Sequence, residues 1–227
     1  MDFELPEECR MLKDLVARFV QDELMPLEAG VMLREAQGRG YELEAEERRR
    51  LDGISKELGL WGLDAPEEIG GMDLPTIALI GVAEEMARTI TPYILPPDSP
   101  NLRMLAATAT PAQREAYLNP YARGETVSAI AISEPGAGGD PAGMTTRAVR
   151  DGDDWVINGR KIWISYAEEA DFTILMAVTD KEKGARGGMS AFVVDKGTPG
   201  FNIARKIPML GGMYTYEIAI EDMRLPA

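Results

Sequence analysis

The sequence contains no histidine, and it has a single cysteine, Cys9. Without histidine there can be no serine–histidine or cysteine–histidine nucleophile pair, and a zinc site would lack its usual nitrogen and sulfur ligands. The lone thiol excludes an intramolecular disulfide, and its place in a helix-like segment favours a packed side chain over a nucleophile. Any chemistry must therefore use carboxylates, hydroxyls, backbone groups or a cofactor, and a reducing, cytoplasmic location fits.

Basic residues and long apolar runs are also scarce. The 24 Lys and Arg residues face 38 Asp and Glu residues, which gives a net charge of −14. Such a field repels nucleic acids and anionic membrane surfaces, although local backbone N–H groups can still hold a small phosphate-bearing ligand. The longest apolar candidate, 77–83, is too short to span a membrane, and the acidic N-terminus does not resemble a signal peptide. We expect neither nucleic-acid binding nor membrane insertion.

What the sequence does contain is an ordinary globular composition, arranged in two halves of different character. Helical spacing of apolar residues predicts helices over 5–27, 43–58 and 74–90, with a turn at the glycine pair 70–71 and a short helix after the capping sequence "TPAQ", 110–113. Beyond about Gly124 the pattern is typical of strands, predicted at 127–132, 145–150, 154–157, 160–164, 171–178, 190–194 and 214–220. The pair Asn158-Gly159 is a hairpin signal between two of them.

This order of elements predicts a multidomain α and β protein. An N-terminal all-α helical domain, 1–124, is expected to precede an antiparallel β-barrel or sandwich domain, 125–227. A chain of 227 residues is long enough to build two modest cores without disulfides or metals.

The stretch "AISEPGAGGD", 131–140, places a glycine-rich loop directly after an apolar strand. Pro141 stands where the third glycine of a G-x-G-x-x-G dinucleotide fingerprint would fall, and a strand follows, so this fingerprint is rejected. What remains is a hydroxyl, Ser133, and a turn whose backbone amides can approach an anion or a ring edge. By itself the loop is better explained as a plain structural turn.

A second motif, "NGRKIWIS", 158–165, ends in Trp163 and Ser165. Alternation along a strand puts these two side chains on one face of the sheet. An isolated W-x-S would usually be a core aromatic beside an incidental serine. The pairing of this motif with "SEPGAG" makes both more specific.

The two motifs, with "GDDWVINGRKIWISYAEEAD" and the later "EIAIEDMRLPA", resemble the acyl-CoA dehydrogenase family in order and spacing over both halves of the sequence. The resemblance implies a helical domain and a β-barrel domain, followed in the family by a C-terminal helical bundle that this sequence does not include. It implies that FAD lies against the barrel with an acyl-CoA thioester beside it. The implied reaction is α,β-desaturation, in which a glutamate takes the α-proton and the β-hydrogen leaves as hydride to flavin N5.

The resemblance also implies a role for individual residues around the flavin ring. Ile132 and Ser133 match the positions that approach the flavin N1 and C2 carbonyl region, where donors stabilise the negative charge of a reduced flavin. Trp163 matches the tryptophan that flanks the isoalloxazine. Ser165 stands where the family usually has threonine, and its hydroxyl or amide is expected to address the N5 side.

The glycine-rich loop is assigned to the rest of the cofactor and to the substrate. Gly138 and Gly139 are expected beside FAD; Gly139 stands where the family usually has a serine near the pyrophosphate and the pantetheine arm, so a hydroxyl contact is lost. Ser133 and Gly139 are also the expected substrate contacts. No catalytic base and no metal ligand are assigned: the base is expected in the C-terminal bundle, and Glu134 is expected to be structural.

Three functions remain open at this point. The first is an FAD-dependent acyl-CoA dehydrogenase that works with an electron-transfer flavoprotein as a homo- or hetero-oligomer. The second, motivated by Gly139 and by the end of the sequence at a domain boundary, is a non-catalytic binding or regulatory subunit of a flavoprotein complex. The third is a flavin oxidase or monooxygenase on the same fold. The sequence does not reveal the length or branching of the acyl chain.

Overall fold

The computed structural model describes residues 5–97, 99–184, 186–209 and 213–226. The chain divides into two compact units, Met1–Glu125 and Thr126–Ala227. The first unit is built from helices and the second from one seven-stranded sheet. The predicted fold class, a helical region followed by a β-domain, is confirmed.

The first unit contains a succession of helices joined by short turns. They are α1 Glu7–Phe19, α2 Glu28–Ala36, α3 Ala45–Glu57, α4 Thr76–Met86, α5 Ser99–Thr108, α6 Pro111–Gln113 and α7 Asn119–Ala122. A π-helical turn, Val20–Leu24, and a 3-10 turn, Met25–Leu27, continue α1 into α2. The helical run is therefore longer than the predicted 5–27 and less regular, because Pro26 lacks the N–H that an α-helix needs there.

Two local sequence signals of this unit behave as predicted. The backbone N–H of Gln113 donates to Oγ1 of Thr110 over 3.3 Å, and the N–H of Thr110 donates to Oε1 of Gln113 over 2.9 Å, which is the capping box of α6. The glycine pair forms a turn: Gly70 has a φ of 86°, and a Cβ on Gly71 would lie 2.1 Å from the carbonyl oxygen of Ala65. Only glycine fits such a close backbone approach.

The core of the first unit is apolar and includes a polar cluster around Tyr93. The apolar core residues are Val16, Phe19, Val20, Leu24, Leu51, Leu60, Leu63, Val82 and Tyr93. The Tyr93 hydroxyl donates to Oδ1 of Asp52 over 2.9 Å and lies 2.8 Å from Oγ of Ser55. Cys9 is free and buried, as its helical context predicted. Within the described part of the chain, every helix is too short or too polar to cross a membrane.

The second unit is a curled mixed sheet. Its strands are β1 Ser128–Ala131, β2 Arg147–Asp151, β3 Asp154–Ser165, β4 Phe172–Val178, β5 Met189–Asp195, β6 Phe201–Pro208 and β7 Tyr214–Pro226. They lie in the order β1-β4-β2-β3-β7-β6, with β5 paired to β4. Most pairs are antiparallel, as predicted, but β4 runs parallel to β1 and to β2.

The hairpin predicted at Asn158-Gly159 is wrong, because β3 runs straight through these residues. Its pairing with β7 shifts register between Ile157 and Gly159. The Asn158 side chain fills this bulge by donating to Oδ1 of Asp222 over 3.0 Å and accepting from the Asp222 N–H over 2.9 Å. A Cβ on Gly159 would lie 2.3 Å from Oγ1 of Thr146. The glycine thus permits close packing beside β2 and does not form a turn.

The turn that does connect β2 to β3 lies earlier, at Gly152 and Asp153. Asp151 pairs with Asp154 at the ends of the two strands, and Gly152 has a φ of 64°. Such a two-residue loop suits a β-hairpin. Strand β6 was not predicted, since its residues are mostly exposed and lack apolar alternation at this edge of the sheet.

Candidate functional site

Two backbone-directed hydrogen bonds bring the motifs "SEPGAG" and "KIWIS" together. The N–H of Ile162 donates to the carbonyl oxygen of Ser133 over 3.0 Å. The Lys161 ammonium donates to the carbonyl oxygen of Ile132 over 2.9 Å. The chain leaving β1 is therefore fixed beside the second half of β3, a hairpin away in sequence.

The loop after Ser133 is closed on its inner side and open on its outer side. The Glu134 N–H donates to the Ala137 carbonyl over 2.7 Å, and the Ala137 N–H returns a bond of 3.1 Å to Glu134. Beyond this turn Gly138 and Gly139 are exposed, and a Cβ on either would meet nothing within 4 Å. An exposed, side-chain-free backbone of this kind can approach a phosphate group closely.

The loop then passes into a short 3-10 turn, Pro141–Gly143, and not into a helix. Oδ1 of Asp140 accepts the Ala142 N–H over 2.9 Å and caps this turn. A dinucleotide fingerprint needs a helix N-terminus at this point, so the local structure agrees with its rejection.

Glu134 is buried under this loop, and its carboxylate is held by four hydrogen bonds. Oε2 accepts the N–H and the hydroxyl of Thr145 over 2.6 and 2.7 Å; Oε1 accepts the N–H of Thr146 and the ammonium of Lys161, each over 2.9 Å. Burial raises the pKa of Glu134, but the bonds from Thr146, Thr145 and Lys161 outweigh it and lower the pKa to about 2. An ionised carboxylate committed to these contacts is unsuited to accept a substrate proton.

Lys161 is the partner of Glu134, and both side chains are sealed from solvent, with exposures of 0% and 2%. Burial lowers the pKa of Lys161, and the adjacent carboxylate opposes that change. The ammonium sits between two oxygens, one from Glu134 and one from the Ile132 carbonyl. This buried ion pair was not foreseen from the sequence, where its members lie far apart.

Trp163 and Ser165 are both exposed, whereas Ile164 between them is buried, as strand alternation predicted. Trp163 is 54% exposed and has a φ of 63°, a left-handed conformation that is unfavourable for a bulky side chain. The pairing of β3 with β7 also shifts register between Lys161 and Ile164. A strained bulge that presents an indole to solvent is typical of a binding site, where such strain is retained for function.

Thr215 adds a feature that the sequence reasoning missed. It lies directly opposite Ser165 in the pairing of β3 with β7 and is 8% exposed. Its Oγ1 is buried and makes no hydrogen bond to another described residue. The strand was predicted, but its register was not, so this neighbour of Ser165 could not be identified.

The loop that follows Ser165 is held by a polar cluster on the neighbouring strands. The phenol oxygen of buried Tyr216 lies 3.0 Å from Oε2 of Glu168 and 2.8 Å from Oε1 of Glu169. Lys206 donates to Oε2 of Glu168 over 2.8 Å. Burial, followed by the two carboxylates, raises the pKa of Tyr216, so its phenol stays protonated and can donate. The end of β3 is thus fixed on both sides.

The arrangement suits a planar aromatic cofactor with a phosphate group. The exposed indole of Trp163 offers a stacking surface, and the open backbone at Gly138 and Gly139 offers amides without side chains. The unpartnered hydroxyl of Thr215 beside Ser165 marks a polar spot close to that surface. Among the residues described, no group of three or more Asp, Glu or Cys side chains is placed to hold a metal ion.

Comparisons with known proteins match both units of the chain. The family model described as acyl-CoA dehydrogenase, N-terminal domain, matches residues 6–125, and the model described as acyl-CoA dehydrogenase, middle domain, matches residues 129–223. The (R)-benzylsuccinyl-CoA dehydrogenase of Thauera aromatica is 43% identical over 234 residues, which cover 99% of this chain and 58% of that protein.

Two solved structures of acyl-CoA dehydrogenases are similar to this chain over nearly its whole length. Butyryl-CoA dehydrogenase from Megasphaera elsdenii has a TM-score of 0.76 at 29% identity, over 100% of this chain and 59% of its own. A glutaryl-CoA dehydrogenase from Mycobacterium smegmatis, solved in complex with FADH2, has a TM-score of 0.75 at 26% identity, over 98% and 55%. The chain therefore spans between 55% and 59% of the length of these relatives. Both of its units match in order, and the chain belongs to the acyl-CoA dehydrogenase family.

Proposed function

We propose that the second unit binds FAD, with the isoalloxazine beside Ile132, Ser133, Trp163 and Ser165. One observation carries this proposal: the bonds from Ile162 to Ser133 and from Lys161 to Ile132 unite the two motifs next to an indole that is 54% exposed. An exposed indole held in a strained bulge offers a flat face on which an aromatic ring can stack.

Each proposed contact follows from the chemistry of the residue. Ser133 and Ser165 supply hydroxyl and N–H donors toward the polar edge of the ring, where such donors stabilise negative charge. Trp163 covers an aromatic face and excludes water. Gly138 and Gly139 place bare backbone beside the pyrophosphate, and this local anion site is compatible with the net charge of −14.

We propose that the whole protein is an acyl-CoA dehydrogenase that desaturates an acyl-CoA thioester between its α and β carbons. Bound FAD would supply the acceptor for the β-hydrogen at N5. In this chain, Ser133 and Gly139 are the proposed substrate contacts, and the open space at Gly139 leaves room for the thioester arm. The α-proton acceptor is proposed to lie outside these 227 residues, because the carboxylate nearest the motif, Glu134, is buried and fully bonded.

The proposed partners follow from the same reaction. The electrons leave through an electron-transfer flavoprotein, and the protein works as a homo- or hetero-oligomer in the cytoplasm, a location that fits the single cysteine. An exposed Trp163 beside the cofactor would give such a partner a short route to the flavin.

The test uses the full-length protein. It should purify with a yellow oxidised-flavin spectrum that bleaches anaerobically when an acyl-CoA is added, within a panel that includes butyryl-CoA and benzylsuccinyl-CoA. Trp163→Ala should weaken FAD binding, whereas Trp155→Ala, in the same strand but packed against Phe192, should not change the flavin affinity of the protein that folds. Flavin colour that persists with every acyl-CoA would count against desaturation. Rapid reoxidation by air would favour an oxidase, and a folded protein that takes up no FAD would favour a non-catalytic subunit.

A further inference from the structure

We propose that Lys161 is a positioning residue that strengthens the Ser133 N–H as a hydrogen-bond donor to bound FAD. The inference rests on the proposed FAD site. It concerns a residue outside the proposed cofactor and substrate contacts, and it assigns an electrostatic function to the buried ion pair.

The first step is the placement of the ammonium group. Lys161 donates to the Ile132 carbonyl oxygen over 2.9 Å and to Oε1 of Glu134 over 2.9 Å. The Ile132 carbonyl and the Ser133 N–H belong to one peptide group. A cation at the oxygen end of a peptide draws electron density toward the oxygen and makes the N–H at the other end a stronger donor.

The second step is that the ion pair is shielded from water. With exposures of 0% for Lys161 and 2% for Glu134, water cannot screen the ammonium from the peptide group that it contacts. The Glu134 carboxylate contacts the same ammonium group. The ion pair therefore acts as a dipole whose positive end contacts the Ile132 oxygen. Its field reaches the flavin-facing N–H through a single peptide unit.

The third step is the cost of the pair. Burying two charges is expensive, and replacing a buried ion pair by neutral residues of similar volume is often neutral or stabilising. A neutral donor at position 161 would tie the Ile132 carbonyl to β3 equally well. The charge itself is therefore better explained by its effect on the adjacent peptide than by stability.

The quantity to measure is the reduction potential of the bound flavin, because stronger donation favours the more negative, reduced form. In the full-length FAD-loaded protein, Lys161→Met should reduce the affinity ratio for reduced over oxidised flavin by about tenfold, which is about 30 mV for a two-electron couple. Glu134→Gln removes the counter-charge, so with all variants measured at pH 6, to keep Lys161 protonated against the effect of burial on its pKa, the potential should rise. The double variant Lys161→Met/Glu134→Gln should fall between wild type and Lys161→Met.

A matched control comes from the neighbouring residue. Arg160→Met also removes one positive charge from β3, but the Arg160 side chain is 63% exposed and pairs with Glu217. Arg160→Met should change the affinity ratio for reduced over oxidised flavin by less than about twofold, because water and salt screen an exposed charge.

The order of potentials decides the outcome. The proposal is supported if the reduction potential of the bound flavin is highest in Glu134→Gln and falls through wild type and the double variant to Lys161→Met. A double variant that folds and keeps the wild-type potential, or shifts of one sign in both single variants, overturns it while the FAD site stands. If Lys161→Met does not fold, the other two variants decide: a potential above wild type for Glu134→Gln and below wild type for the double variant supports the proposal, and any other pair of shifts overturns it. A wild-type protein that binds no FAD overturns the FAD site and this inference together.

Discussion

Each unit of the molecule contains a buried polar cluster, and the two differ in chemistry. In the first unit, the Tyr93 hydroxyl connects buried Ser55 to the half-buried carboxylate of Asp52. In the second, Glu134 and Lys161 form an ion pair sealed from solvent and fixed to the chain at Ile132. The hydroxyl cluster joins elements of one core, whereas the ion pair lies under the loop proposed to hold a cofactor. The buried ion pair thus occurs where its field could affect chemistry, whereas the hydroxyl cluster, with its single half-buried carboxylate, occurs in a packed core.

The largest effect should come from breaking the ion pair on one side. Glu134→Ala leaves the Lys161 ammonium buried without its counter-ion and removes the acceptor of the Thr145 and Thr146 N–H groups. We expect the free energy of unfolding to fall by about 3 to 5 kcal/mol, measured by denaturant titration of the full-length protein. Glu68→Ala is the control: its side chain is 60% exposed and pairs with Arg114, so the loss should stay below about 1 kcal/mol. Equal losses for the two variants would show that burial of the pair has no energetic consequence.

The same carboxylate should make the second unit sensitive to acid. The pKa of Glu134 is lowered from 4.5 to about 2 in the folded protein, so its contribution to stability is complete above pH 4.5 and is lost as the pH falls toward 2. Unfolding followed between pH 6 and pH 2 should therefore show a steeper decline for wild type than for Glu134→Gln. Parallel curves would mean that Glu134 does not titrate in this range.

The contrast between the two clusters also shows what a sequence can reveal. Local signals predicted the helices, the Thr110 capping box and the placement of Trp163 and Ser165 on one face of a strand, because each depends on residues close together in the chain. The ion pair joins residues 27 apart, and Thr215 becomes a neighbour of Ser165 only through strand register. Neither contact leaves a local pattern.

The same limit explains the wrong hairpin. A hairpin signal and a strand glycine needed for close packing look alike until the partner is known, and the partner of Gly159 is Thr146, which directly precedes β2. The parallel pairing of β1 with β4 was hidden for a related reason, since a crossover depends on the whole sheet and not on either strand. The roles of Ile132, Ser133, Gly138, Gly139, Trp163 and Ser165 toward FAD stay predictions from the resemblance, now supported by their placement.

The smallest effect is expected in the hydroxyl cluster of the first unit. Tyr93→Phe removes the hydroxyl that contacts Ser55 and Asp52 but keeps the ring against Phe19, with centroids 5.9 Å apart. Since Ser55 is fully buried, it keeps its desolvation cost, and we expect a loss of about 1 to 2 kcal/mol in the free energy of unfolding. The cluster belongs to the first unit and the proposed FAD site to the second, so the potential of bound FAD should match wild type. A change in that potential would show that the hydroxyl cluster, too, affects the cofactor, and the contrast between the two clusters would no longer hold.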